Sequence, residues 1–592
     1  MRFLFFAVAA VLMAGVQGTS GSKFTFQQPV QSKAMPADSP DDAQFKRFTD
    51  SLLNEFWVWH PSWAVSIGHA EYDAVLEVPT ADWLKQRRDQ HEKFVRRLAR
   101  YEKKKLNANN RMDYNILKNQ FEYFTWRHDR LQSHKWNPAE YNVGESFDLV
   151  LSRPNKTLRE KLEAVEKRLA NVSPYFNAAT RNIENPTKEH LQLALQQVSG
   201  SLYIFEKMIP DSVAKLGDAA LTERMRTQLF VATQGVKRYI NFLEKYQLKP
   251  GVTYRDFRIG KETFATKFDY EIQSGFTADS IYKRAVQRKR EIHDEMKKIT
   301  AKLWPLHFPD QTAPDNALKA VAVMIEKLSE RHAHRDSFML EVEKQIPELE
   351  KFVKEKNLLF VDPTKPLVVR ETPAYMEGSG AGASINSPGP YNPNDKTYYN
   401  VTLLTNYTPE QAESYLREYN DYILQILNIH EAIPGHYTQL VYANRSPSMV
   451  KSLFGNGAMV EGWAVYTERM MLEAGYNATD EMWLMYYKWH LRSVINTILD
   501  YSVHCLGLTE QQAKDLMVNE GFQQQAEAAG KWKRATLSQV QLCSYFTGFT
   551  EIWELREALK KKQGDKFNLK QFHEKFLGYG NAPVKYIHEA ML

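Results

Sequence analysis

Apolar residues recur three and four positions apart along most of this chain. In FKRFTDSLLNEFWVW, MDYNILKNQFEYFTW, TLREKLEAVEKRLANV and IYKRAVQRKREIHDEMKKITAKLW they line one face, with charges between them. That is the period of an amphipathic helix. It returns in GAMVEGWAVYTERMMLEAG, MWLMYYKWHLRSVINTILDYSVHCLG, LTEQQAKDLMVNEG, SQVQLCSYFTGFTEIWELREALKKK and NLKQFHEKFLGYG. Ahead of these, in TPEQAESYLREYNDYILQILNIHEAIPGH, Thr408 can cap, Pro409 suits the first helical position and Gln411 completes a capping box. The predicted helix runs from there to His430. Residues 359–403 break the pattern: LFVDPTKPLVVRETPAY and KTYYNVTLL are β-branched and aromatic, and GSGAGASINSPGPYNPND between them is rich in Gly, Pro and Asn. A small sheet or hairpin fits this stretch, and a long surface loop is the alternative. The fold class expected is mainly α: a large helical chain with a small β element beside the HEAIPGH helix.

Composition narrows the picture. Of the 592 residues 43% are hydrophobic, 25% charged and 12% aromatic, which excludes collagenous and wholly disordered classes. The net charge is +6 and no basic block alternates with aromatics, so no nucleic-acid partner is expected. MRFLFFAVAAVLMAGVQGTS places one Arg before an apolar run that ends in small residues, the pattern of a secretory signal peptide near residues 1–18. An N-terminal anchor helix is the other reading. No Cys follows the run, so a bacterial lipid anchor is not indicated, and a secreted or periplasmic protein without stable membrane insertion is expected. Residues 19–42 read as a disordered lead-in, 43–358 as a helical region and 359–592 as the region bearing the chemistry, within one continuous domain over 43–592. The two cysteines, Cys505 and Cys543, could form one bridge or stay as free thiols. Nothing in the pattern speaks to oligomeric state.

The candidate chemistry sits in HEAIPGH, residues 430–436. Two histidines four apart on a straight helix reach one metal. A pair six apart is turned by roughly 240° and cannot. Pro434 removes a helical hydrogen bond, and Gly435 permits backbone geometry other residues avoid. Together they can open a bulge that brings His436 round to the side of His430. The alternative is a helix that ends at Ile433, leaving His430 as an ordinary half-buried histidine. Glu461, in GAMVEGWAVYTE on the following helix, supplies a third ligand in the manner of zinc hydrolases that take two His from one helix and a Glu from the next. His430, His436 and Glu461 would hold one zinc ion and leave a position for water, and Glu431 would take that water's proton. Gly462 leaves room near a crowded metal. Glu468, seven residues on, shares the face of Glu461 and is either an ion-pair partner or a support behind a ligand.

HEAIPGH followed by YTQ and then EGWAVYTE resembles the family named for domain of unknown function 885. HPSWAVSIGHAEYD, YRDFRIGKETFATKFDYEIQSGFTADSIYKRA, LRSVINTILDYSVH, KWKRATLSQVQLCSYFTG and FHEKFLGYG resemble its other blocks, over roughly 43–592. The resemblance implies kinship with zincin-like peptidases of the gluzincin group. It implies a largely helical fold similar to that of thimet-oligopeptidase-like and carboxypeptidase-Taq-like enzymes. It also implies zinc at His430, His436 and Glu461 with Glu431 as catalyst. The family's block around QVQLCSYFTG usually carries a Pro-Gly-Gln run and then a Tyr. Gln541, Tyr545 and Gly548 fit it, but Gln539 and Val540 stand where Pro and Gly are common, a departure that bears on the local backbone.

Several further residues are candidates beside these. The phenol of Tyr545 could donate to an oxyanion, or pack in a helix interface. Arg534, near Gln541, could bind a substrate carboxylate bidentately, or be a surface charge. Asp500 and His504 share a helix face and form either a support for the ligands or a structural hydrogen bond. Small residues at Gly380, Ala381, Gly382 and Ala383 would let a peptide substrate lie against a strand edge. The function expected is an exported zinc-dependent hydrolase, a metallopeptidase acting on short peptides. The alternatives are a zinc-dependent amidase or esterase with a non-peptide substrate, and a non-catalytic binding protein of the same fold.

Overall fold

A computed structural model describes residues 39–372, 383–391, 396–405, 407–446 and 448–592. The signal-peptide pattern at 1–18, most of the expected lead-in, and Gly380, Ala381 and Gly382 lie outside the described residues. The described residues begin slightly ahead of residue 43, and Ser39 accepts from the Asp42 amide and caps helix α1 (Pro40–Trp59). Helices dominate from there, as the 3.6-residue period predicts.

Two apolar cores organise the chain. The smaller gathers buried residues between Val65 and Leu243, chiefly from α2 (Leu158–Asn182) and α3 (Ala219–Leu248). A reciprocal capping box between Thr157 and Glu160 starts α2. The larger core joins α1 to α4 (Ala278–His307) and to nearly everything after residue 338. Among the described residues no helix is long and apolar enough to cross a membrane.

The β element is a three-stranded sheet. Strand β1 (Leu367–Glu371) pairs in parallel with β3 (Thr397–Val401), and β2 (Ala383–Asn386) pairs antiparallel with the other side of β3. The sheet is therefore mixed, with β3 central and β2, which begins at Ala383, on an edge. Tyr399 of β3 is wholly buried, and its hydroxyl donates 2.7 Å to Asn428 Oδ1 on the helix that carries His430. This bond holds the sheet beneath that helix.

The long helix expected from Thr408 to His430 is two helices. The capping box of Thr408 and Gln411 is present and opens α5 (Pro409–Glu418). Buried Asn420 then caps a new helix, α6 (Asp421–Glu431), by accepting from the amides of Tyr422 and Ile423. Its NH2 donates to Arg417 O and Ser329 Oγ. An Asn so fully engaged stops one helix and starts the next. Beyond it come α7 (His436–Ala443), α8 (Gly457–Glu473), α9 (Asp480–Cys505), α10 (Gln525–Leu537) and α11 (Ser544–Gln563). The run SQVQLC, expected to open the last of these, is instead a turn and a 3-10 segment (Gln541–Cys543). Cys505 and Cys543 are free thiols.

Candidate functional site

HEAIPGH is built as two helices joined by a tight link, not as a bulge within one. Helix α6 ends at Glu431 and α7 begins at His436. The two extra residues are absorbed in the hydrogen-bond ladder. The Gly435 amide donates 3.0 Å to the carbonyl of Ile429, and the Thr438 amide donates 3.4 Å to that of Ala432. These bonds reach back six residues where a helix reaches back four. His436 is thereby returned to the position a residue four beyond His430 would occupy. The fold demands glycine at 435: a Cβ there would lie 2.5 Å from the carbonyl carbon of His430 and closer still to its oxygen. The peptide between Ile433 and Pro434 is cis, and the carbonyl of Pro434 accepts from Trp463 Nε1 at 2.9 Å.

The two imidazoles meet edge to face, with ring centroids 4.7 Å apart. Glu461 of α8 faces both: its Oε2 stands 3.8 Å from His430 Nε2 and 3.5 Å from His436 Nε2. These separations are long for hydrogen bonds. Ligand atoms about 2.0–2.1 Å from a tetrahedral zinc stand roughly 3.3 Å apart, so the spacing suits a shared ion. A ligand atom from each of His430, Glu431 and His436 also falls within 4.8 Å of the others. Two carboxylates thus border one pair of imidazoles. Glu461 comes from a separate helix and lies against both Nε2 atoms, whereas Glu431 adjoins His430 at the end of α6.

Behind the imidazoles the pairing is tighter. His430 Nδ1 lies 2.7 Å from Glu468 Oε1, and Trp489 Nε1 donates to the same oxygen at 3.0 Å. With Nδ1 held by a carboxylate, Nε2 is the atom left to bind a metal, the usual support behind a metal-binding histidine. Glu468 is fully buried and its second oxygen has no protein partner. His436 Nδ1 is likewise buried without one. Burial, with the neighbouring charge of His436, pushes His430 down to about 4, which leaves its imidazole neutral with a lone pair to give. Burial also raises the carboxyls of Glu431 and Glu468. Burial acts the same way on Glu461, but its pairing with His436 and the charge of His430 hold it below its ordinary value. The donor set, two imidazoles and a carboxylate, fits zinc.

The remaining sequence candidates divide between this cluster and the structure around it. Tyr545, near the start of α11, and Arg534, near the end of α10, both respond to the charge of Glu461. Arg534 Nη2 donates 2.6 Å to Gln541 Oε1 and 3.1 Å to the Tyr545 hydroxyl. That hydroxyl keeps its own proton free to donate. Asp500 and His504 make no contact with His430 or His436. Asp500 Oδ2 accepts from the Leu542 amide at 3.0 Å, and His504 Nε2 faces the carbonyls of Ala535 and Ser538 at 2.9 and 3.1 Å. They hold the 535–542 backbone that carries Gln541 and leads to Tyr545. Within it Val540 adopts φ 73°, a left-handed conformation costing a β-branched residue about 1–3 kcal/mol. The turn that a Gly would adopt freely is thus kept with a Val.

Gly462 does not make room for a metal. A Cβ on it would lie 2.7 Å from the Phe549 amide nitrogen, and one on Gly548 would lie 2.8 Å from Gly462 Cα. The two glycines let α8 and α11 cross backbone to backbone, which sets Tyr545 beside Glu461. Trp489, Tyr399 and Asn428 escaped sequence reasoning, since each sits in an apolar run that reads as core. Their only signal was a polar atom that has to be satisfied once buried.

Comparison with known proteins gives a family and little chemistry. A family model described as "Bacterial protein of unknown function (DUF885)" matches residues 61–591. No curated protein matches. Among solved structures, a candidate lipoprotein of unknown function from Shewanella oneidensis is 48% identical, with a TM-score of 0.86 over 92% of this chain and 99% of its own. A candidate lipoprotein from Colwellia psychrerythraea shares the fold at 15% identity, with a TM-score of 0.71 over 93% of this chain and 99% of its own.

Proposed function

The chain belongs to the DUF885 family, and on that footing we propose that it is a zinc-dependent hydrolase of the zincin-like kind that cleaves short peptides. The observation that carries the reading is the meeting of His430 Nε2 and His436 Nε2 on one oxygen of Glu461, with His430 backed by Glu468. These three residues would hold the ion, one per chain. Zinc there supplies Lewis acidity, polarising a carbonyl and acidifying water.

The protein's own groups do the rest. Glu431, half-buried at the end of α6, takes a proton from water and later returns it to the leaving amine. The Tyr545 phenol donates to the oxyanion as charge develops, with its oxygen already held by Arg534. Glu468 and Trp489 fix the ring of His430 so that its Nε2 does not wander. Edge strand β2, beginning at Ala383, offers main-chain groups along which an extended peptide can pair. The N-terminal signal pattern and the lipoprotein description of the Shewanella relative support a protein that works outside the cytoplasm.

Glu431→Gln tests the reading. The variant should bind zinc as the natural protein does and lose hydrolysis across a peptide library read by mass spectrometry. Zinc-loaded natural protein that cuts nothing in that library would overturn the proposal.

A further inference from the structure

Arg534 stands outside the ion pairs around it. Among the described residues no carboxylate pairs with it: Nη2 serves the neutral oxygens of Gln541 and Tyr545, and Nε and Nη1 have no acceptor there. Its side chain is open to solvent. Three cations near it are paired. Lys488 lies 2.8 Å from Glu418, Arg492 lies 3.1 Å from Glu418 and 2.6 Å from Glu527, and Lys531 lies 3.9 Å from Glu527. Lys488, Arg492 and Lys531 thus share the two carboxylates Glu418 and Glu527 among themselves, and Arg534 is left outside that network.

Arg534 lies beside the proposed reaction centre, because its Nη2 is bonded to the Tyr545 hydroxyl and the close crossing of Gly462 and Gly548 sets Tyr545 beside Glu461. A guanidinium held by one terminal nitrogen, with its other edge open, presents the planar fork that takes a carboxylate through two hydrogen bonds. Gln541 and Tyr545 fix the plane of that fork.

Resting on the hydrolase reading above, we propose that Arg534 forms a subsite for a substrate carboxylate, so that the preferred substrates are short peptides anchored by that group. A free C-terminus and an acidic side chain present the same chemistry. Either would set the scissile carbonyl at a fixed reach from Arg534 and make the enzyme selective for short, acid-ended chains.

The test uses the full chain carrying Glu431→Gln, loaded with zinc so that peptides are bound and not cut. Three matched, N-blocked tetrapeptides are titrated calorimetrically: a free C-terminal acid, its C-terminal amide, and an amide with one internal glutamate. The acid or the glutamate peptide should bind about ten- to a hundredfold tighter than the plain amide. Which of the two does so identifies the source of the carboxylate. Adding Arg534→Gln should bring all three to the same weak affinity. Equal binding of the three peptides with Arg534 in place, a preference that survives Arg534→Gln, or no binding at millimolar peptide overturns the proposal. If Arg534 only positions Tyr545, then in the Glu431 protein Arg534→Gln lowers kcat on acid and amide alike, and no carboxylate preference exists to lose. The hydrolase reading fails separately, through absence of turnover in the natural protein, while the binding arms still decide the subsite.

Discussion

Gly435→Ala is the sharpest perturbation of the link between the two helices that carry His430 and His436. Its Cβ would stand 2.5 Å from the His430 carbonyl carbon. Carbon atoms in van der Waals contact sit about 3.5–4.0 Å apart, so roughly 1 Å must open between residue 435 and the end of α6. His430 and His436 are the residues on either side of that gap. Coordination tolerates deviations of only about 0.2 Å, and a movement several times larger separates the two Nε2 atoms from their common partner. Removing a glycine stabilises a chain by about 0.4–1 kcal/mol through the unfolded state, and forced overpacking costs about 1–3 kcal/mol. The clash therefore wins, and local geometry suffers more than global stability. Zinc affinity, measured by competition with a chromogenic chelator, should fall by at least about a hundredfold, and the urea midpoint should drop modestly. Unchanged zinc affinity with an unchanged midpoint would refute the account of the link.

Three further outcomes follow from the same geometry. Glu468→Ala strips His430 Nδ1 of its partner and should weaken zinc binding about 10–100-fold; chelator competition reads this, and an unchanged affinity would make Glu468 a bystander. Gly548→Ala would put a Cβ 2.7 Å from the Ala458 carbonyl carbon and should destabilise the protein by about 1–3 kcal/mol as α8 and α11 are forced apart; a neutral effect in urea unfolding would deny the close crossing. Glu551, held by the Gly275 amide and Ser274 Oγ at 2.8 Å each, is raised by burial to about 7 from an ordinary 4.5. Its folded value exceeds its unfolded one, so its contribution is full below the unfolded value and is lost as pH climbs to about 7. Glu551→Gln should therefore match the natural protein near pH 4.5 and exceed it by up to about 3 kcal/mol at pH 8. A difference that does not vary with pH would contradict this.

The helices were legible because each buries one apolar stripe, and a 3.6-residue period records that directly. The β element was legible from its β-branched flanks, though its mixed pairing was not, since strand order depends on where the chain returns in space. The break at Asn420 was hidden: an apolar period runs through it, and only the side chain's engagement with Tyr422, Ile423, Arg417 and Ser329 turns the residue into a stop. That His430, His436 and Glu461 come together in space was legible from the residue types and helix spacing. The means of bringing them together was only half legible. Pro434 and Gly435 announced a distortion, but whether it became a bulge or two helices depended on the carbonyls of Ile429 and Ala432 finding donors six residues on. Gly462 misled, because what crowds a glycine is set by the partner helix and no local pattern names it. Asp500 and His504 were half legible: a shared helix face says that two side chains point together, and of the two readings it left open the bonds found are structural ones, to the 535–542 backbone.

The central claim is that His430, His436 and Glu461 share one metal ion. Crystals of the protein grown with zinc, with diffraction recorded on both sides of the zinc absorption edge, test it directly. The account predicts a single strong anomalous peak at about 2.0–2.2 Å from Nε2 of each histidine and from a carboxylate oxygen of Glu461, with Glu431 outside bonding distance. An empty position between the two imidazoles at saturating zinc, or a peak bound by Glu431 in place of Glu461, would contradict it.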